Sequence, residues 1–191
     1  MDVEALQSFI IDKLNNELPG WLAYHNTGHT EQVIKHALEL GRNEGLNDEE
    51  LVLLHTAALM HDTGFTSVYV NHEEASCELS RKILPGYNYS TDQIEAICKM
   101  IMATKLPQSP GDKLSYILCD ADLYYIGTND YLLYADRLFC ELKHNNENIT
   151  NEDWLKIQND FLTTHSYFTA TAKNNLELNK QKNIKKFVQL K

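Results

Sequence analysis

Histidines and aspartates occur at three places in this chain where helical, mostly apolar sequence surrounds them. His25 and His29 lie four residues apart in WLAYHNTGHTEQV, a spacing that shares one face if a single helix includes both. His61 and Asp62 follow LVLLHTAALM, and Asp120 and Asp122 interrupt SYILCDADLYYIG. A charged aspartate in such a setting is costly to bury unless something compensates it. A divalent cation would do so. Imidazole nitrogen combined with carboxylate oxygen suits Mn, Fe, Co, Ni, Zn or Mg. Cys77, Cys98, Cys119 and Cys140 fall outside any C-x-x-C ligand spacing. Each sits in an apolar helical context, where a free cysteine acts as a small hydrophobe.

The elements that must position these residues read as helices throughout, and the expected class is all-α. Val3, Leu6, Ile10 and Leu14 recur at helical spacing until Pro19-Gly20. A second helix is expected from about Gly28 to Asn43, with Gly45 as its stop. Asn47 or Asp48 caps a third, whose LVLLHTAALM body belongs in the centre of a core. Further helices are expected over residues 71–84, from Ser90 or Thr91 to before Pro107, and from Asp112 to about Ile126. Others start at Asp130, at the capping sequence Thr150-Asn-Glu-Asp153, and at about Asn174.

Length and charge bound the rest. A chain of 191 residues can bury one core, so residues 1–191 are expected to form a single domain. The formal charge of −10 argues against a nucleic-acid or anionic-membrane partner, which needs a basic surface. It leaves room for one small anionic substrate beside a metal ion. The acidic, amphipathic N-terminus lacks a basic-then-apolar leader pattern, no apolar run approaches a membrane span, and a reducing cytoplasm is the expected location.

The order His29, His61-Asp62, Asp122 resembles the H…HD…D signature of the HD superfamily of metal-dependent phosphohydrolases. The segment Tyr24-His25-Asn26-x-x-His29-Thr30-x-x-Val33 is similar to the first motif of bacterial HD phosphohydrolases and of cyclic-nucleotide phosphodiesterases. Ala58-Leu59-x-His61-Asp62 and Asp120-Ala121-Asp122-Leu123 resemble the later motifs. The likeness spans about residues 20–135, leaving C-terminal helices over about 136–191.

The resemblance implies an HD-type helical bundle with His29, His61, Asp62 and Asp122 as metal ligands. It gives Asp62 a catalytic place, bridging if a second ion binds, and puts Asp120 behind a ligand histidine. His25 would protonate the leaving oxygen. The implied substrate is a small phosphorylated molecule, most plausibly a nucleotide, cleaved by metal-activated water. Binuclear members add histidines after the HD pair. Here only His72, followed by Glu73, stands near that place, and Ala103-Thr104-Lys105 offers none, so one tightly held ion is expected. Lys105 and Arg137 could meet a substrate phosphate. Two alternatives are an HD-like di-iron oxygenase, which needs more histidines, and a nucleotide-binding regulatory module without turnover.

Overall fold

The computed structural model describes residues 1–188, so the last three positions of the expected C-terminal segment lie outside the described residues. Among the described residues there are nine α-helices and no strand. They are α1 (Val3–Glu17), α2 (Thr27–Asn43), α3 (Asp48–Met60), α4 (His72–Ile83), α5 (Thr91–Thr104), α6 (Lys113–Asp122), α7 (Tyr131–Asn145), α8 (Asn151–Thr164) and α9 (Ala170–Val188). Short 3-10 turns cover Thr63–Thr66, Leu84–Tyr87 and Tyr124–Gly127.

The apolar helix takes the central place. α3 packs against α1, α2, α5 and α6, and Leu54, Ala57, Ala58, Leu59 and Met60 are fully buried. Its start is fixed by a reciprocal cap, in which Asn47 accepts from the backbone N–H of Glu50 and the Glu50 carboxylate accepts from that of Asn47. Ser90 with Gln93 and Thr150 with Asp153 cap α5 and α8 in the same way.

Three helix ends converge beside α3. The N-terminal turn of α2 carries His29, the C-terminal end of α3 carries His61, and the last residue of α6 is Asp122. These three helices pack on one another, so ends distant in sequence become neighbours. Two of the three are C-terminal ends, whose unpaired carbonyls favour a cation.

α2 starts at Thr27, within a residue of the expected Gly28, because the Asn26 side chain accepts from the N–H of His29 and caps the helix there. His25 therefore precedes the helix and shares no helical face with His29. Three expectations, the end of α6, the start of α9 and the setting of Cys140, are corrected. α6 stops at Asp122 instead of about Ile126, since the chain tightens into a 3-10 turn held by α9, where Asn183 donates to the carbonyls of Ile126 and Thr128. α9 begins at Ala170, not about Asn174: the buried Asp120 carboxylate accepts from the N–H groups of Phe168 and Thr169 and from the Thr169 hydroxyl. Cys140 is exposed, unlike the three buried cysteines.

The turn after His61-Asp62 rests directly on α4. Gly64 donates to the Ser76 hydroxyl, and a Cβ at Gly64 would lie 2.0 Å from the backbone oxygen of His72. Only glycine allows this approach, which sets His72 beside Asp62. Gly64→Ala is expected to cost roughly 2–3 kcal/mol by overpacking. For a chain of this size, that lowers Tm by about 4–12 °C. Thermal unfolding of the variant measures it, and an unchanged Tm would contradict the close approach.

Candidate metal centre

Four side chains point their ligand atoms at one small volume. His29 Nε2 lies 3.4 Å from His61 Nε2, 3.2 Å from Asp122 Oδ1 and 3.4 Å from Asp62 Oδ2. His61 Nε2 lies 3.0 Å from Asp62 Oδ2 and 3.6 Å from Asp122 Oδ1. Ligands bonded to one ion at about 2.0–2.2 Å sit about 3.0–3.5 Å from their neighbours around it. The observed separations match that range. His29, His61 and Asp122 form a mutually close triad, which Asp62 joins through the two imidazoles.

The donors are prepared for a cation. The His61 Nδ1–H donates to the carbonyl of Ala58 at 2.8 Å. A carbonyl can only accept, so the neutral ring keeps its proton on Nδ1 and turns the Nε2 lone pair inward. Asp62 Oδ2 is buried, and with both imidazoles neutral it faces His61 Nε2 and His29 Nε2 without a hydrogen-bond donor. A carboxylate oxygen left in that state is costly, and a bound ion would satisfy it. Burial alone would lower the pKa of His61, but the Asp62 and Asp122 charges outweigh it and hold that pKa well above the ordinary histidine value. Both carboxylates are conversely held low: burial opposes this, and the histidines override it. Without a metal, a proton on His61 thus supplies the positive charge, so metal uptake competes with protons.

A second set faces the other oxygen of Asp62. His72 Nε2 lies 3.5 Å from Asp62 Oδ1, and the buried Glu73 places Oε1 3.6 Å from the same nitrogen. The structure therefore brings His72 and Glu73 to the cluster, and Asp62 stands between the two groups.

His25 also reaches the site, from the bent segment before α2. Its Nδ1 lies 2.5 Å from Glu141 Oε1, and its ring stacks on Phe65 with centroids 4.5 Å apart. Glu141, on α7, is fully buried and accepts as well from the backbone N–H groups of Tyr24 and His25. Burial opposes protonation of His25, but the Glu141 hydrogen bond and nearby carboxylates leave its pKa raised. Glu141 has no counterpart among the residues singled out from sequence. Its signal was available: an acid three residues after Leu138 and one before Leu142 falls on the apolar stripe of α7.

Three expected participants behave differently. Asp120 orients no ligand histidine, since its oxygens are taken up by the start of α9. Lys105 borders the site, but its ammonium is bonded to Glu74 and to Asn71 Oδ1. Arg137 is exposed and lies over the Tyr134 ring, 5.6 Å from its centroid, away from the cluster.

Two cavities open beside the cluster, and Tyr24, Asp122 and Tyr125 border both. The smaller, about 240 Å³, reaches His29, Gln32 and His36. The larger, about 430 Å³, reaches His25, Asp62, His72 and Glu73.

The family model described as "HD domain" matches residues 27–125, just over half of the chain, and that range contains all four clustered side chains. An uncharacterized protein of Clostridium beijerinckii is 35% identical over 83 residues, 41% of this chain, and the match spans about half (51%) of that protein's length. The crystal structure of a predicted HD superfamily hydrolase from an uncultured Thermotogales bacterium shares the fold, with a TM-score of 0.63 at 21% identity over 95% of this chain and 88% of that one. No described helix is long and apolar enough to cross a membrane.

If the four side chains hold one ion, His61→Ala and Asp62→Asn should each lose metal on dialysis that the unaltered protein survives. Metal-to-protein ratios by mass spectrometry read this directly. Either variant retaining a full equivalent would remove that residue from the ligand set.

Proposed function

The chain belongs to the HD-domain family, and from that premise we propose that it is a metal-dependent phosphohydrolase of phosphate monoesters or diesters. One observation carries the reading: His29, His61, Asp62 and Asp122 cluster at 3.0–3.6 Å, and the cluster's two carboxylates, Asp62 and Asp122, line the same cavity as the carboxylate-bound His25. A divalent ion held there would polarise a phosphoryl oxygen and lower the pKa of bound water. One tightly held ion is the simplest occupancy, with Asp62 Oδ1, His72 and Glu73 as a weaker second position.

The chain's own residues supply the remaining chemistry. Water forms the new bond to phosphorus as the ester oxygen departs, and that oxygen needs a proton. His25 directs Nδ1 at Glu141, which leaves Nε2 to donate. Burial opposes protonation of the ring, but the Glu141 hydrogen bond and nearby carboxylates raise its pKa above that of an ordinary histidine, which favours the proton-donating form. Glu141 is a positioning residue: it fixes the ring through Nδ1 and the preceding backbone through two N–H groups. It stands apart from the ligand set, so its effect on His25 persists when an ion neutralises Asp62.

A nucleotide substrate rests on family likeness alone. The di-iron oxygenase alternative is separated by iron content and an oxygen requirement, and the regulatory alternative by binding without product release.

The test is hydrolysis of phosphate esters by protein loaded with Mn, Co, Ni, Mg or Zn. His25→Ala should lower kcat for an alkyl ester by roughly 10²–10⁴-fold with metal content unchanged. A nitrophenyl ester, whose leaving group is stable as an anion, should lose far less. Activity needs protonated His25, so it falls as pH rises through that raised pKa. Glu141→Gln removes the main raising interaction and should move this limb to lower pH. Equal losses on both esters, or an unmoved limb, would return His25 to a structural role.

A further inference from the structure

The larger cavity has two unlike sets of lining residues. Its charged groups are His25, Asp62, His72, Glu73, Lys105 and Asp122, and they include both carboxylates of the metal cluster. Many of the apolar ones come from α7 and α8. Leu138 and Leu142 are four residues apart on α7, and Trp154, Ile157 and Phe161 repeat at three and four on α8, so each helix turns one apolar face to the space. Gln158, the polar residue that these helices add to the lining, already accepts from the Tyr131 hydroxyl at 2.9 Å. Val70, Leu106 and Ile157 also line the cavity and are 74%, 59% and 47% exposed.

Charge also limits what the site can take. Among the described residues Lys105 is the one lysine or arginine bordering the cavity, and Glu74 and Asn71 already hold it; His25, the other group there that carries positive charge, is paired with Glu141. Asp62, Glu73 and Asp122 line the same cavity. A polyphosphate would meet these carboxylates with little beyond the metal to offset its charge. A single phosphoryl group would not.

We infer that the substrate is a phosphate ester of an apolar alcohol or phenol, with one phosphoryl group at the metal cluster and its hydrocarbon part against α7 and α8. The inference rests on the phosphohydrolase reading for the phosphoryl end and replaces the nucleotide with an apolar leaving group. The volume of about 430 Å³ accommodates such a group, within the roughly 300–1,000 Å³ usual for small-ligand pockets. Sugar hydroxyls or a base edge placed against these apolar side chains would lose hydrogen bonds to water and regain few.

The experiment is calorimetric titration of the Mn-loaded protein with n-alkyl phosphonates from methyl to octyl, which cannot be hydrolysed, alongside adenosine 5′-monophosphate. Kd is expected to fall about fourfold for each added methylene that is buried. The Leu106→Ser/Ile157→Ser variant changes two exposed positions, so it should fold, and its affinity gain per methylene should shrink. A Kd independent of chain length, no binding by any phosphonate, or tighter binding of the nucleotide than of octyl phosphonate would overturn the inference. The corresponding alkyl phosphates, assayed for phosphate release, separate the two readings. Chain-length-dependent binding without turnover removes the hydrolase and leaves the apolar ligand class, whereas turnover confined to polar esters removes the ligand class alone.

Discussion

Two carboxylates, Asp62 and Asp122, are held within 3.0–3.6 Å of two imidazole nitrogens in the interior of a helical protein. Their charge needs compensation, and the surrounding structure is arranged to receive it from a cation. α3 runs through the core and ends on His61, whose Nδ1 proton is claimed by the carbonyl of Ala58. α2 begins where Asn26 fixes the first turn and with it His29. α6 ends on Asp122 because the following residues tighten into a turn secured by α9. Each helix end serves both its own capping and the common volume between them.

The C-terminal helices complete that volume. α9 is anchored on the core by Asp120, α7 contributes the buried Glu141 that holds His25, and α8 contributes apolar side chains to the larger cavity. Acid and apolar surface thus meet in one cavity. That combination suits a substrate that itself has a charged end and a hydrocarbon end.

Much of this was legible in sequence. Pro19-Gly20, Asn47 with Glu50, Ser90 with Gln93 and Thr150 with Asp153 mark helix ends through local chemistry, and the structure uses the same signals. The aspartates embedded in apolar sequence marked the cluster for the same reason that burying them is costly. What sequence did not reveal depends on contacts across long separations. The helix-compatible run after Asp122 contains no breaker before Gly127, and only the packing of α9 ends it earlier. Asp120 caps a helix 48 and 49 residues away, which no local pattern encodes. His25 and Glu141 meet across 116 residues. The acid on the apolar stripe of α7 was visible, but its partner was not.

The central claim is that one divalent ion balances the buried carboxylates. Anomalous diffraction from crystals grown with Mn²⁺, recorded on both sides of the manganese edge, tests it most directly. The account predicts the strongest peak within about 2.0–2.4 Å of His29 Nε2, His61 Nε2, Asp62 Oδ2 and Asp122 Oδ1. A strongest peak elsewhere, or none among these atoms in protein that carries a full equivalent of manganese, would contradict it.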